Sequence, residues 1–452
     1  MNSLTMTEND GMEQVRSYVS APVALPGERV YDRATPWNVA VPVRPGAVVL
    51  ASTASQVAEV MRFAGDRGLR VAVQATGHGA VPIGPDTVLV LTGGLSECVV
   101  DPVTRTARVG AGVRWQTVLD AATPHGLAPL CGSAPAVGVV GFLTGGGVGP
   151  LVRTVGLSAD YVRAMELVTG AGEVLRVTPE SHADLFWGVR GGKSTLGVVT
   201  AVEIDLLPIA EFYGGALFFD GSHAAAVLGE WQRWTADLPE EVNTSICIQQ
   251  LPPLPGVPEP LAGRMTVAVR YTAVGDLAEA QCLLQPMREA APVLIDAVGV
   301  LPYAAIGAVH ADPVDPMPVH EAHALLRELT PETVEAILAA CGPGSQSPQT
   351  LVELRLLGGA LAREPRHRSA FCHRDAAYGL SVIGVLAPPA GAAVAAHAAE
   401  LVDAVAPWST GGQMPNFAAS DDPDRPARCY DEDALAWLRA LARRYDPASV
   451  MR

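Results

Sequence analysis

Residues 127–152 form the segment that most restricts what this chain can fold into, because they include no charged side chain. The segment is long enough to cross a bilayer as a helix. It also contains Pro129, Pro135 and the run Gly145-Gly146-Gly147, which in lipid would leave backbone N–H and C=O groups unpaired. The segment therefore predicts buried, irregular backbone that lies against something large and flat.

Length and charge limit the class of protein. The chain has 452 residues, which predicts two or more domains, and a composition that is 49% hydrophobic and 17% charged is that of a globular protein. The formal net charge of −16 makes nucleic acid and anionic membranes poor partners. We therefore expect neither as a partner, and nothing in the sequence indicates the oligomeric state.

The cysteines and the N-terminus bear on redox compartment and location. Seven cysteines are scattered along the chain, odd in number and at no metal-ligand spacing, so we expect neither a disulfide framework nor a metal site. Residues 1–14 are polar and lack the basic-then-apolar pattern of a secretion signal. This pattern predicts a cytoplasmic protein.

Periodicity and turn residues predict alternating helices and strands in the first half of the chain. Thr53 and Gln56 have the spacing of a capping box, and Gly68 ends the helix that follows. The next strand leads into a glycine turn at Gly77-His78-Gly79. The predicted strands are 70–74, 87–91, 106–109, the hairpin 164–169 with 174–178, and 197–207; the predicted helices are 115–122 and 181–189.

Pro208 ends the last of these strands and is the predicted domain boundary. The middle of the chain mixes both kinds of element, and an amphipathic helix is predicted near the C-terminus over 431–443. The predicted helices of the middle segment are 224–236, 277–290, 331–340 and 392–405, and its predicted strands are 265–271, 351–357 and 378–385.

Four segments, in order along the chain, carry a family resemblance. They are residues 71–79 (with Ala75-Thr76-Gly77-His78-Gly79), residues 134–149, residues 184–200 (with Arg190-Gly191-Gly192), and Tyr445-Asp446-Pro447. Together they resemble the vanillyl-alcohol-oxidase/PCMH-type FAD family, most closely its berberine-bridge-enzyme-like branch. The physics agrees, because glycines let backbone N–H groups approach a pyrophosphate without lysine or arginine.

The resemblance implies an α+β fold with two modules. One is a PCMH-type FAD-binding domain made of two α/β subdomains, and the other is a substrate domain whose antiparallel sheet is covered by helices. The expected boundaries are an N-terminal extension 1–30, the FAD domain 31–208, the substrate domain 209–410, and a C-terminal segment 411–452 that returns to the FAD domain.

The resemblance also implies that FAD is bonded covalently through His78, at the flavin 8α-methyl carbon. Many relatives add a second link through a cysteine where this chain has Ala134, so we expect a single link and interpret Cys131 as a small core residue. The other residues expected to bind the cofactor are Gln74, Ala75, Thr76, Gly77, Gly79, Ala134, Val137, Gly138, Gly141, Gly145, Gly146, Gly147, Gly149, Val199 and Asn416.

The catalytic base is less constrained by the sequence. Sugar-oxidising relatives have a tyrosine two residues before the position of Asn416, and Met414 stands there in this chain. Glu353 and Arg355 lie two apart on a predicted strand and share a face, and Tyr378 begins another strand. These three are the candidate catalytic residues, and a structural role stays open for each.

Two motifs that resemble nucleotide sites fail on their spacing. Gly192-Lys193-Ser194 would need a glycine where Trp187 stands, and Gly110-Ala111-Gly112 would need one at Trp115. Neither ATP nor NAD is therefore expected as a ligand.

The reaction implied by the resemblance is oxidation of a small organic substrate, such as a specialised metabolite, by hydride transfer to flavin, with molecular oxygen as acceptor. Two alternatives stay open. One is a dehydrogenase of the same fold that uses another acceptor. The other is a non-redox cyclase or binding protein that retains FAD.

Overall fold

The computed structural model describes residues 12–193, 195–388, 391–418 and 422–451, which form three sheets with flanking helices. The strands are β1 (Val23–Ala24), β2 (Ala47–Leu50), β3 (Arg70–Gln74), β4 (Thr87–Leu91), β5 (Cys98–Asp101), β6 (Thr106–Gly110), β7 (Val162–Thr169), β8 (Val174–Val177), β9 (Gly197–Asp205), β10 (Glu211–Asp220), β11 (Val242–Gln250), β12 (Met265–Ala273), β13 (Val293–Asp296), β14 (Gly299–Pro302), β15 (Val319–Leu326), β16 (Leu351–Leu356) and β17 (Tyr378–Val385).

The helices vary from single turns to four turns. They are α1 (Val15–Tyr18), α2 (Ala54–Arg67), α3 (Trp115–Ala122), α4 (Val139–Thr144), α5 (Val152–Val155), α6 (Ala183–Val189), α7 (Ala224–Trp234), α8 (Leu277–Leu283), α9 (Gln285–Glu289), α10 (Pro331–Cys341), α11 (Gly391–Ala404), α12 (Arg425–Cys429) and α13 (Glu432–Tyr445). Among the described residues, no helix combines the length and the hydropathy needed to cross a membrane.

The first sheet has the order β1-β2-β4-β3, in which β2, β4 and β3 are parallel. Helix α2 packs against it and begins as its sequence predicts, because the Thr53 hydroxyl accepts a hydrogen bond from the Gln56 N–H (3.2 Å). The Gln56 side chain bonds the N–H of Ser52 and not that of Thr53, so the capping box is incomplete. Strand β3 ends at Gln74 and delivers the turn that contains His78.

The second sheet is antiparallel, in the order β5-β6-β9-β7-β8. Helices α3 and α4 share a core with it, and so does the C-terminal helix α13 through Leu438, Leu441 and Tyr445. The tail then reaches the first sheet, where the Val71 N–H donates to the carbonyl of Val450 (2.7 Å). The end of the chain thus contacts both small sheets.

The third sheet is antiparallel throughout and contains β13-β10-β12-β11-β16-β17-β15 in that order, with β14 also paired to β10. Alternation along its strands separates two faces. One face is apolar and is covered by α7 to α11, and it includes Val269, Leu354 and Leu380. The opposite face carries polar side chains. The three sheets confirm the expected α+β class, with two small α/β units and a larger antiparallel sheet.

The uncharged segment 127–152 is buried over most of its length, as the sequence predicts, and contains only short helices. Residues 133–137 and Val140 are partly exposed, and Gly141 is exposed. At its end, the Arg153 guanidinium donates to the carbonyls of Val242, Leu357, Leu238 and Pro239, which lie in or next to the third sheet. The segment is therefore attached to the polar side of that sheet.

Candidate active site

The turn after β3 holds His78 in a fixed position. Its ring stacks on Trp37 with centroids 4.8 Å apart, and its Nδ1 lies 2.9 Å from the hydroxyl of Thr76. The other ring nitrogen, Nε2, is buried and has no hydrogen-bond partner among the described residues. Burial, with a smaller contribution from nearby Arg114, lowers the pKa of His78 to about 4, so the imidazole is neutral at physiological pH.

Two loops meet beside His78. A Cβ added to Gly138 would lie 3.1 Å from the Cβ of Ala75, so the second glycine segment touches the first turn. Gly77 has φ +76°, and a side chain there would meet the Cα of Pro36 at 2.6 Å, so only glycine fits. By contrast, a Cβ at Gly79 or Gly141 would meet nothing within 4 Å. The two loops therefore meet beside His78, with open space at Gly79 and Gly141 next to the crowded Gly77 and Gly138.

The run Gly145-Gly146-Gly147 is crowded on all sides. A Cβ at Gly145 would collide with the side-chain oxygen of Asn416, and one at Gly146 would collide with the ring of Phe371. Asn416 also donates from Nδ2 to the carbonyl of Phe142 (2.8 Å). The C-terminal segment thus contacts the glycine run, and the expected contact of Asn416 with FAD stays a prediction.

The chain's single lysine lies at the same place. Lys193 donates to the carbonyl of Gly141 (3.3 Å) and to the side-chain oxygen of Asn416. Burial, reinforced by Arg425, lowers the pKa of Lys193 to about 7. In the sequence, this lysine belongs only to an incomplete phosphate-loop motif, and no residue spacing indicates its contact with Asn416.

The remaining expected cofactor residues have diverse surroundings. Gln74 is buried and donates to the carbonyl of Ala34 (3.1 Å), and Val199 is buried in β9. Ala134 and Val137 belong to the partly exposed part of the uncharged segment. A Cβ at Gly149 would collide with the carbonyl of Cys131. All of these residues flank the two loops or the glycine run, and their contacts with FAD stay predictions.

Cys131 itself is buried in the core of the second sheet. Burial raises the pKa of its thiol to about 12, so the reactive thiolate is absent at neutral pH. All seven cysteines lie in the described ranges, and all are free thiols. These properties agree with the interpretation of Cys131 as a core residue.

Glu353 is the centre of a buried ionic cluster on the polar face of the third sheet. Its Oε1 accepts from the Ser245 hydroxyl (2.7 Å) and from Arg270 (2.7 Å), and its Oε2 accepts from Arg355 (3.1 Å). His310 Nε2 lies 3.3 Å from the same carboxylate. Arg355 and Arg270 hold the pKa of Glu353 well below its usual range despite the burial.

A carboxylate held in its ionised form by two arginines accepts protons poorly. The structure therefore disfavours Glu353 as the base, although it confirms that Glu353 and Arg355 share a face.

Tyr378 does not share that face, which corrects the prediction that it projects toward the cofactor. Its side chain belongs to the apolar core beneath the helices, where its ring centroid is 5.9 Å from that of Trp231. Its hydroxyl lies 3.3 Å from the hydroxyl of Thr235. The cause is strand parity, since Tyr378 has the same orientation as Leu380 and Val382.

Two further polar residues on β15 were missed by the sequence analysis. His323 pairs with Ser381, which in turn pairs with Glu353, so His323 belongs to the polar face. Its ring stacks on Phe417 (5.2 Å), and its Nε2 is buried without a partner among the described residues. Glu321 lies two residues earlier on the same face, and burial raises the pKa of its carboxyl to about 7.

A pocket joins the glycine-rich segment to this polar face. It is a small cleft partly open to solvent, and its walls include Gly149, Pro150, Arg270, His310 and Arg355. The Thr272 hydroxyl donates to the carbonyl of Pro150 (2.7 Å), which fixes one wall against the other. Groups from the glycine segment and from the third sheet thus line one space.

Comparison with known proteins agrees with this geometry. The FAD binding domain family matches residues 45–178, which include the His78 turn and the uncharged segment. The (R)-6-hydroxynicotine oxidase of Paenarthrobacter nicotinovorans is 29% identical over 310 residues. That alignment covers 66% of this chain and 65% of the relative's length, which is just under two thirds.

Solved structures extend the similarity to the whole fold. The 6-hydroxy-D-nicotine oxidase of Arthrobacter nicotinovorans superposes with a TM-score of 0.83 at 25% identity, covering 96% of this chain and 97% of that one. A berberine-bridge-enzyme-like protein of Physcomitrella patens gives 0.82 at 20% identity, covering 98% and 97%.

These matches show an FAD binding domain over residues 45–178, in a chain that is similar to FAD-linked oxidoreductases. Structural neighbours with the same fold include 6-hydroxynicotine oxidase, a berberine-bridge-enzyme-like protein and chitooligosaccharide oxidase.

Proposed function

We propose that this protein is an oxidase that holds FAD covalently through His78 and oxidises a small organic substrate, with molecular oxygen as acceptor. The observation that carries the proposal is the buried Nε2 of His78, which has no partner among the described residues and lies in a turn inside the matched FAD binding domain. A neutral imidazole has one ring nitrogen that carries a lone pair, and this is the form that can bond to carbon.

The residues present fit the cofactor. The space at Gly79 and Gly141 is open, so a ligand there can come close to the glycine backbone. Residues 133–137, in the second loop, are partly exposed. Bound flavin supplies an acceptor for a hydride and its electron pair. Gln74, Thr76, Gly138 and Val137 would line it, and Asn416 with Lys193 would close the site beside Gly145.

The chain's own groups then have separate tasks. The pocket beside Pro150 receives the substrate, and Arg270, Arg355 and His310 orient it. Glu321 shares the polar face of the sheet with Glu353 and is the proposed base for the substrate proton, because burial raises the pKa of its carboxyl to about 7. Phe417 packs beside these groups, since its ring stacks on His323 and lies 5.9 Å from the guanidinium carbon of Arg355.

Anaerobic mixing of the purified holoenzyme with a panel of small alcohols, amines and hydroxylated aromatics tests the proposal. We expect at least one compound to bleach the flavin absorbance, and we expect peroxide to form when oxygen is admitted. Bleaching without peroxide, together with rapid turnover of an artificial dye, would support a dehydrogenase instead. A ligand that binds and is converted without bleaching would support a non-redox function.

The hydroxynicotine oxidase relative gives this panel a starting point. Its name describes oxidation of a hydroxylated pyridine that carries a cyclic amine, and compounds of that type are therefore among the first to test.

A further inference from the structure

We propose that the pocket between the glycine-rich segment and the third sheet binds a substrate that carries a carboxylate, through Arg270, Arg355 and His310. This inference rests on the proposed function, because it names the substrate class for the same site. Two features of the buried cluster around Glu353 support it. Positive charge exceeds negative charge in the cluster, and some of its N–H groups have no hydrogen-bond partner among the described residues.

The cluster contains more positive than negative charge within hydrogen-bond reach. Arg270 and Arg355 both bind the single carboxylate of Glu353, and their side chains are only 8% and 13% exposed. A buried cation without its own counter-ion is costly, because desolvation penalises charge. An anionic group in the pocket would complete the pairing.

Each arginine uses only part of its guanidinium for Glu353. Arg270 donates to it from Nη1, and Arg355 donates from Nη2, which also lies 3.2 Å from His310 Nε2. Apart from the Cys247 thiol beside Arg270, no other hydrogen-bond partner of these two guanidinium groups is found within the part of the chain that the structure describes. Both residues line the pocket, and guanidinium forks bind carboxylates with two parallel hydrogen bonds.

His310 provides the second observation. It lines the same pocket, its side chain is 6% exposed, and its Nδ1 is buried without a partner among the described residues. Its Nε2 lies 3.3 Å from Glu353 Oε1 and 3.2 Å from Arg355 Nη2, so this ring nitrogen has partners within the cluster. Nδ1 is then an unused polar atom in the pocket wall.

The next acidic group does not remove the imbalance. Asp312 interacts with Arg270 electrostatically, but among the described residues it makes no hydrogen bond to either arginine. It is also partly exposed, so solvent screens it. The opposite wall, formed by Gly149 and Pro150, is uncharged and belongs to the cofactor side. A carboxylate on the arginines would therefore place the rest of a small substrate toward the glycine segment.

Calorimetry on the holoenzyme with matched anionic and neutral probes tests the inference. Acetate and benzoate are the anions, and acetamide and benzamide are their neutral counterparts of the same shape. We expect at least one anion to bind tenfold or more tightly than its amide, which corresponds to about 1.4 kcal/mol. Equal binding of both members of each pair, or no binding of either anion, would overturn the proposal.

Arginine variants test whether Arg355 causes the preference for the anion over its amide. Arg355→Gln should abolish the preference for the anion, and Arg355→Lys should restore part of it. Arg176→Gln is the matched control, because Arg176 is paired with Glu203 on the second sheet, away from the pocket. If Arg355→Gln does not fold, Arg355→Lys still tests the assignment. Its melting curve shows whether it is folded, and its preference for the anion should be weaker than that of the wild type. An anion preference that survives in Arg355→Gln would contradict the assignment.

The two proposals can fail separately. Calorimetry does not depend on flavin reduction, so anion binding without any turnover would contradict only the oxidase function. Flavin reduction by neutral compounds alone, with no anion preference, would contradict only the carboxylate class.

Discussion

The imidazole of His78 lies nearly parallel to the indole of Trp37, with 13° between the ring planes and 4.8 Å between the centroids. Trp37 is in turn attached to the segment that follows His310, since its Nε1 donates to the carbonyl of Val314 (3.1 Å) and its carbonyl accepts from Met317. The turn that should carry the cofactor bond is thus braced by the chain that enters the third sheet.

The first prediction concerns the covalent bond. His78→Ala should retain FAD in the folded protein through the remaining contacts but release it completely on acid precipitation, whereas the wild type should keep a coloured pellet. The 8α-substituent withdraws electrons from the ring, so the variant should also have a lower flavin reduction potential and slower substrate oxidation. Absorbance of pellet and supernatant, with a redox titration, measures both effects.

Cys131→Ala provides the control for that experiment, because its thiol is buried and held neutral. We expect its acid pellet to stay coloured. Flavin in the supernatant of this variant would mean that the bond had been assigned to the wrong residue, and a colourless wild-type pellet would exclude any covalent link.

The second prediction concerns the base. Glu321 has a carboxyl whose pKa is raised to about 7 by burial, and a base must be deprotonated to act. The rate of anaerobic flavin reduction should therefore fall as the pH drops below about 7. Glu321→Gln should lower that rate by roughly 100-fold or more and abolish this limb of the pH profile. Stopped-flow absorbance over a pH series measures it.

Tyr378→Phe is the matched control, because Tyr378 lies in the core on the helix-covered face. It should leave the rate and its pH dependence unchanged. A loss of the acidic limb in Tyr378→Phe, or its survival in Glu321→Gln, would show that the base had been misidentified.

The sequence was most informative where local rules act alone. Strand β3 and helix α3 have the bounds that their residue patterns predict. The helix predicted over 277–290 is instead two, α8 and α9, because Pro286 lacks the N–H that a continuous helix needs. Three strands were not predicted, because their sequences do not alternate clearly between apolar and polar residues. In β10 the cause is the pair Gly214 and Gly215, and in β11 and β15 it is runs of polar residues.

For the site, too, only features formed by neighbouring residues could be predicted from the sequence. The turn with His78 could be found from its motif, because neighbouring residues form it. The partners of Glu353 could not, since Arg270 and His310 come from strands and turns far away in sequence. The face on which Tyr378 lies depends on register, which a single strand does not reveal. The domain boundaries at residues 30, 208 and 410 stay predictions.

The third prediction concerns two glycines with opposite surroundings. Gly146 has φ +98° and would bring a Cβ against the ring of Phe371, whereas Gly79 has open space around it. Gly146→Ala should lower the free energy of unfolding by about 1–3 kcal/mol. Gly79→Ala should leave the fold's stability nearly unchanged but reduce FAD incorporation, because the added methyl occupies ligand space. Denaturant unfolding and flavin content separate the two outcomes, and equal stability of both variants would contradict the account.

The last prediction concerns oxygen. Val137 is partly exposed beside the two loops, whereas Val139 is fully buried in the core, so only Val137 is placed to border the cofactor. Small side chains there would leave oxygen a path to the flavin, and a tethered flavin must be reoxidised in place. Val137→Phe should therefore slow reoxidation of the reduced enzyme by oxygen at least several-fold while leaving anaerobic reduction by substrate nearly unchanged.

Val139→Ala is the control. It opens a cavity in the core and should lower the unfolding free energy by about 1–3 kcal/mol, without slowing reoxidation more than reduction. Stopped-flow absorbance measures the two half-reactions separately. If Val137→Phe slows both equally, this valine shapes the substrate pocket, and oxygen reaches the flavin by another route.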